Sequence, residues 1–310
     1  MIGISIVVPV FNEEENLPEL YSELEKILKK LNKSYEIIFV DDGSTDNSFK
    51  VLNEIKKKDR NVKIIKLRRN FGKSTALSIG LKKAQGEIII TLDADLQDNP
   101  NEIPKFLKKI DEGYDLVVGW RFKRKDPITK KLPSKIFNWL TSILTGIKIH
   151  DFNCCFKAFR KEVAKNIKIY GELHRYIPVL AFWRGYRIAE VKVDHRPRKY
   201  GKSKYGVMRL VSGFLDLITV KFLITYAKRP LHFFGSIGII SFILGFLAGI
   251  YLLYLKFVNN YNIGDRPLLI LTVLMIILGM QFISIGLLGE MIVSESEIKE
   301  DESIDFKSTQ

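Results

Sequence analysis

Cysteine is almost absent from this 310-residue chain: there are two, Cys154 and Cys155, and sequence neighbours cannot form an ordinary structural bridge with each other. A chain without a disulfide framework fits a reducing compartment. Glycine is missing where a phosphate-cradling loop needs it. Phe71-Gly-Lys-Ser-Thr75 looks like the end of a P-loop, but position 67 is leucine, so Lys73 is not read as a P-loop lysine. No Gly-x-Gly-x-x-Gly follows the first apolar run, and zinc-finger, helix-turn-helix and aromatic-basic RNA motifs are lacking. The net charge of +14 is therefore assigned to anionic lipid, with no nucleic-acid partner expected. Charge itself is missing from Leu231 to Leu255 and from Leu268 to Gly289, and each run can cross a hydrocarbon core of about 30 Å as a helix. No basic n-region precedes them: Met1 to Val10 leads straight into Glu13-Glu-Glu15, so no signal peptide is expected.

What is present is 46% apolar content, which excludes disorder, arranged as alternating strand and helix signals. Strands are predicted at Ile4–Val8, Tyr35–Val40, Val62–Lys66, Glu87–Leu92 and Leu116–Gly119. Helices are expected from an Asn16 N-cap to Leu31, from an Asp46 cap to Lys58, over Ser74–Ala84 and over Asn101–Asp111. This alternation means an α/β fold with a doubly wound, mostly parallel sheet, whose ligands bind outside the carboxyl ends of the strands. Lys221, Lys228 and Arg229 before the first apolar run place the N-terminal side in the cytoplasm, and two spans return the C-terminus there. The expected layout is a cytoplasmic catalytic domain over 1–205 with an interfacial helix at about 132–147, a juxtamembrane amphipathic helix at 206–230, transmembrane helices at 231–257 and 267–291, and an acidic cytoplasmic tail at 292–310. Such a chain is an integral protein of the cell membrane. Gly235, Gly238, Gly245 and Gly249 can support close packing within the hairpin or between subunits, so a homo-oligomer through these helices stays open.

The organising stretch is Glu87-Ile-Ile-Ile-Thr-Leu-Asp-Ala-Asp-Leu-Gln97, an apolar run ending in two aspartates one residue apart. Strand periodicity turns Asp93 and Asp95 to one side, and two carboxylates that close call for a cation. Hard oxygen ligands suit Mg²⁺ or Mn²⁺ holding a diphosphate. A lone Asp-x-Asp is commonly a solvated turn. Here, however, Asn12 and Glu13, Asp41 and Asp42, Arg68 to Lys73, and Asp93 to Gln97 all follow successive strands, so four loops are expected to converge on one crevice.

Val8-Pro-Val-Phe-Asn-Glu13, Val40-Asp-Asp-Gly-Ser-Thr-Asp46, Arg69-Asn-Phe-Gly72 and Leu92-Asp-Ala-Asp-Leu-Gln-Asp98 together resemble family 2 glycosyltransferases with the GT-A fold. Val118-Gly-Trp-Arg121, Asp151 to Arg160 and Arg198-Lys-Tyr-Gly-Lys-Ser-Lys204, followed by two spans, are similar to the polyprenyl-phosphate branch, which includes dolichyl-phosphate mannose synthase and bactoprenol glucosyltransferases. The family often has Ser where Trp120 stands and Ser-Gly where Cys154-Cys155 stand. The resemblance implies that Pro9, Phe11, Glu13 and Asp42 line the base and ribose pocket, and that Asp93, Asp95 and Gln97 handle ribose, metal and diphosphate.

These residues lead to an expected activity: metal-dependent, inverting transfer of a hexose from a UDP- or GDP-sugar to a dolichyl or undecaprenyl phosphate on the cytoplasmic membrane face. Asp95 is the first choice of metal ligand and Gln97 the second, while Asp93 can hold ribose. No histidine stands near the aspartates in sequence. A lipid phosphate, already largely dianionic at neutral pH, needs no general base. It needs cations, for which Arg121, Lys130 or Lys131, Ser134 and Arg198 are the candidates, and Arg121 joins Asp93 and Asp95 as a catalytic candidate. Trp139, Leu140, Ile143 and Leu144 at helical spacing suit a helix at the membrane interface or in a core. Two other readings compete: a processive polysaccharide synthase, and a catalytically silent scaffold partnering a flippase. The Gln-x-x-Arg-Trp motif usual in the former is absent.

Overall fold

A computed structural model describes residues 2–122, 128–167, 169–197, 199, 216–222, 225–226 and 229–302. Two compact units are present, Met1–Val220 and Lys221–Gln310. The first is built on a seven-stranded sheet: β1 (Ile4–Val10), β2 (Tyr35–Asp41), β3 (Val62–Lys66), β4 (Ile88–Thr91), β5 (Leu116–Arg121), β6 (Lys157–Arg160) and β7 (Ile188–Val193). Their spatial order is β3-β2-β1-β4-β6-β5-β7. All neighbours pair in parallel except β6, which runs antiparallel to both β4 and β5. The central strands are near-continuous apolar runs because both faces are covered, and Ile4, Ile6, Val7, Val8, Ile89 and Ile90 have no exposed surface.

The helices follow the expected alternation: α1 (Leu17–Lys30), α2 (Ser48–Lys58), α3 (Lys73–Lys83), α4 (Ile103–Asp111), α5 (Ile128–Thr145), α6 (Lys161–Asn166) and α7 (Ile177–Trp183). Leu17, Leu20, Leu24, Ile27 and Leu28 recur on one face of α1 and bury it in the core. The expected Asn16 cap is replaced by another arrangement. Its side chain makes no capping bond; Asn16 Nδ2 instead donates to Glu13 Oε2 at 2.6 Å, and Pro18 fills the first turn. Asp46 Oδ1 does accept from the Ser48 N–H at 2.9 Å at the start of α2.

The second unit is a helical hairpin. Pro230–Phe257 and Pro267–Glu302 are helices, and within them Pro230–Phe257 and Pro267–Glu295 are long and apolar enough to cross a membrane. The second helix thus runs past position 291, where the sequence places its end. Gly238 and Gly279 face each other so closely that a Cβ on either would meet the other's carbonyl oxygen at 2.7 Å. Ser241 Oγ donates to the Met275 carbonyl at 2.9 Å, and Glu290 Oε2 accepts the Leu231 N–H at 3.2 Å, placing a carboxylate at the positive end of the first helix. Gly238 and Gly245 are accordingly used inside the hairpin. The proposed juxtamembrane helix at 206–230 falls largely outside the described residues, as does the end of the acidic tail beyond Glu302.

Candidate active site

The strand order reverses direction between β1 and β4, since β1 pairs with β2 on one side and β4 on the other. In a doubly wound sheet this switch point opens a crevice at the carboxyl ends of the strands. Four loops leave β1 to β4 there and bond to one another. From the first, Asn12, in left-handed backbone (φ 54°), accepts the Thr45 N–H on Oδ1 at 2.8 Å, and its own N–H donates to Ser44 Oγ at 3.0 Å. From the second, both Asp42 oxygens accept backbone amides of the third, Phe71 and Gly72, each at 2.8 Å. Gly43 lies between them with φ 68°, and a Cβ there would stand 2.4 Å from the Arg69 carbonyl carbon, so only glycine fits.

The third loop delivers Lys73, the first residue of α3, to the fourth: Lys73 Nζ lies 2.5 Å from Asp93 Oδ1. Burial works to raise the Asp93 pKa, but the Lys73 ammonium, a hydrogen bond from the Cys155 thiol and the nearby Arg121 guanidinium outweigh it and hold the carboxyl below the usual range. Lys73 is therefore part of the site, although its motif fails as a P-loop. β4 ends at Thr91, so both aspartates lie in the loop and turn that follow it, where strand alternation does not apply. Leu96 adopts left-handed backbone (φ 60°), unusual for a bulky residue, and the Gln97 N–H turns back to Asp95 Oδ1 at 3.2 Å. The Asp93 N–H donates to Asp98 Oδ2 at 3.2 Å. Burial, then Asp93, then Asp95 push the Asp98 pKa up to about 7.

A histidine does reach this place, contrary to the reading of the sequence. His195 arrives just past β7, forms an antiparallel bridge with Asp98, and sets its Nε2 3.4 Å from Gln97 Nε2. Its separation of 98 residues from Gln97 hid it. β6 closes the floor: Thr91 Oγ1 donates to the Cys155 carbonyl at 2.6 Å, while the buried Lys157 ammonium donates to the Cys154 carbonyl. Burial pulls the Lys157 pKa down and pushes the Cys154 thiol up to about 12; both cysteines are free and buried.

Arg121 ends β5 on the side of these carboxylates, where its charge acts on Asp93 and Asp98. Its Nε and Nη2 donate to Asp151 Oδ2 and Oδ1 at 2.6 and 2.9 Å, a two-point pair with the side chains only 14% and 5% exposed. Asp151 thus sets the direction of the guanidinium, and the pairing uses two of its five N–H donors. Trp120, one position earlier, stacks on His150 at 3.9 Å. Pro9, Phe11 and Glu13 are half-buried along the end of β1, and Asp42 is buried with its oxygens committed to the third loop. Ser134 is half-buried on α5; the side chains of Lys130 and Lys131, and all of Arg198, lie outside the described residues.

Residues 5–168 match the family model described as "Glycosyl transferase family 2". Along a 301-residue alignment the chain is 40% identical to the dodecaprenyl-phosphate galacturonate synthase of Rhizobium johnstonii, covering 94% of this chain and 88% of that one. It is 39% identical over 291 residues to the undecaprenyl-phosphate 4-deoxy-4-formamido-L-arabinose transferase of Shewanella sediminis, covering 93% and 86%. Among solved structures, glucosyl-3-phosphoglycerate synthase from Mycobacterium tuberculosis with Mn²⁺, uridine diphosphate and glucosyl-3-phosphoglycerate superposes with a TM-score of 0.55 at 19% identity, over 72% of this chain and 80% of that one. That likeness is one of fold, and it is the GT-A fold that the sequence motifs predict. With the family model spanning more than half its length and the switch-point crevice holding the matched motifs, the chain belongs to glycosyl transferase family 2, as a glycosyltransferase carrying two helices long and apolar enough to cross a membrane.

Proposed function

We propose that the enzyme transfers one hexose-type sugar, with inversion, from a nucleotide diphosphate sugar to a polyprenyl phosphate at the cytoplasmic membrane face. The observation that carries this reading is the interlocking of four loops around Asp93, Asp95 and Gln97, with Lys73 and Arg121 supplying positive charge. The acceptor class is supported by the relatives just described, whose names specify dodecaprenyl and undecaprenyl phosphates.

The residues fit a divalent ion. Burial first, and then the charges of Asp93 and Asp95, raise the Asp98 pKa, and the second of these causes is one that a cation beside the carboxylates would relieve. Among the described residues no three His, Cys, Asp or Glu side chains form a ready cage, and Mg²⁺ bound to nucleotides commonly uses one or two carboxylates and completes its shell with phosphates and water. Asp95 and the Gln97 amide oxygen are the proposed ligands. The ion supplies Lewis-acid stabilisation of the departing diphosphate. Lys73 offers that leaving group a charge-assisted contact, and Asp93 is left to hold ribose. Pro9, Phe11 and Glu13 line the nucleoside side, while Asp42 serves it by fixing the third loop. Uridine is preferred over guanosine only as the lead to test first.

The acceptor phosphate attacks as a dianion, so the chain's task is to hold it in line. Arg121, aimed by Asp151, is the residue proposed to hold it, with Ser134, Arg198 and Lys130 or Lys131 as further candidates. Trp139 and Ile143 on α5 are 64% and 58% exposed, which suits a helix resting at the lipid interface.

Membranes containing the enzyme, incubated with labelled UDP- and GDP-sugars and Mn²⁺ and then extracted with organic solvent, should carry label in a lipid fraction. Label in a water-soluble polymer would favour a processive synthase. No incorporation from any donor, together with no calorimetric binding of Mn²⁺ and nucleotide, would favour a silent scaffold.

A further inference from the structure

The backbone that carries Lys73 is held by two anchors, one on each side of it. On the N-terminal side Asp42 accepts the Phe71 and Gly72 amides, each at 2.8 Å. On the C-terminal side stands Ser74, the second residue of α3, which is buried. Its hydroxyl lies 2.8 Å from His174 Nδ1 and also accepts the His174 N–H at 3.3 Å, a tie across 100 residues of chain. His174 is buried as well.

The second anchor matters because this helix start lacks the usual local one. Gly72, which precedes Lys73 with φ 92°, has no side chain to cap the first turn, and a Cβ there would meet no atom within 4 Å. Helix ends fray, so a first turn without a cap needs another hold. His174 can supply one because its own turn is packed. It belongs to the short 3-10 helix Leu173–Tyr176, in which Leu173 is buried and Tyr176, with no exposed surface, sets its ring 5.7 Å from that of Phe137 on α5. A lysine reaches its target on a flexible four-carbon stem, and the less its backbone moves, the less freedom the stem must give up to stay on Asp93.

We propose that His174 is a positioning residue: through the Ser74 hydroxyl it fixes the first turn of α3 and so keeps the Lys73 ammonium on Asp93 and available to the diphosphate of the nucleotide sugar. The inference rests on the reading that Lys73 contacts the leaving group. His174 acts on that group only through Lys73, so its effect on nucleotide binding should vanish when Lys73 is gone.

The test compares Ser74→Ala, His174→Leu and His174→Asn in the full-length enzyme, each alone and combined with Lys73→Ala, by titration calorimetry with Mn²⁺ and whichever of UDP and GDP the wild type binds. Ser74→Ala and His174→Leu should each weaken nucleotide binding roughly three- to tenfold, less than the loss of Lys73 itself, and His174→Asn, whose amide can stand where Nδ1 stands, should recover most of it. Combined with Lys73→Ala, each should change affinity by less than about twofold. Backbone amide exchange over residues 72–76, which needs no substrate, should quicken in Ser74→Ala and His174→Leu and slow again in His174→Asn. An equal loss of affinity with and without Lys73 would overturn the proposal and make the pair a general support of the fold. Unchanged exchange and affinity in Ser74→Ala would overturn it too, and if Lys73→Ala still weakens binding, the reading of Lys73 survives. If Lys73→Ala binds nucleotide as the wild type does, or the wild type binds none, it is the reading of Lys73 that fails, and the proposal falls with it.

Discussion

Lys73 Nζ rests 2.5 Å from Asp93 Oδ1, so the first aspartate of the Asp-x-Asp pair carries a cation of the protein's own. That lysine comes from the loop after β3, and its partner from the loop after β4. The pair therefore joins the two loops proposed to handle the diphosphate.

Replacing Lys73 by Ala should weaken binding of UDP with Mn²⁺ by roughly 10- to 100-fold, the scale of one lost charged hydrogen bond of about 1.5–3 kcal/mol. Titration calorimetry measures it directly. Unaltered affinity would confine Lys73 to its role as the ion-pair partner of Asp93.

Asp95→Asn should keep the fold, because the residue caps a turn outside β4, yet lower turnover by roughly two to four orders of magnitude through weaker metal-assisted departure of the diphosphate. Chelation of divalent ions should have a like effect on the wild type and be reversed by Mn²⁺. Near-normal turnover of Asp95→Asn at saturating Mn²⁺ would take Asp95 out of the metal shell.

Arg121 and Asp151 should be tested through the aspartate. Asp151→Ala leaves a shielded guanidinium without its partner, a change that commonly costs about 3–5 kcal/mol, and a marked fall in melting temperature is expected. Arg121→Lys should retain part of the stability but little of the transfer, since an ammonium cannot reproduce the two-point fork on Asp151. A lysine variant with full transfer activity would show that direction at this position is unimportant.

Asp98 provides a pH test. Its folded pKa of about 7 lies above the ordinary aspartate value of 3.8, so between those values the folded protein holds a proton that the unfolded chain has released. Stability from this group is therefore lost as pH rises from about 4 through about 7. Asp98→Asn, which can still accept the Asp93 N–H, should gain stability over the wild type at about pH 7.5 and gain less at about pH 5, measured by thermal melts without divalent ions. An equal difference at both pH values would show that burial and the neighbouring aspartates do not strain Asp98.

Much of this was legible in the sequence where chemistry is local. Apolar runs ending in Asn12, Asp42 and Asp93 gave both the parallel strands and the edge on which their loops meet. What escaped was non-local. β6 is four residues long, begins with a lysine and ends with an arginine, and takes its place from antiparallel partners on both sides, so no periodicity marks it. His195 reaches Gln97 only once β7 is in the sheet. Lys73 was discounted because Leu67 breaks a P-loop pattern, although a lysine opening a helix beside a strand-end carboxylate needs no P-loop to act. Asp42, which the resemblance assigns to the nucleoside, also accepts one backbone amide of the third loop on each oxygen, a contact that no local motif reveals.

The contact between Gly238 and Gly279 has a consequence for how the hairpin enters its bilayer. Two helices that meet backbone to backbone, with Ser241 Oγ on the Met275 carbonyl nearby, cannot slide along each other without opening a gap that lipid tails are too bulky to fill. The pair would insert as a single wedge, and a copy of the chain approaching from the side would find that seam already closed. Ile239, Ile240, Ile243 and Leu247, which point away from it, are the surface such a neighbour would meet.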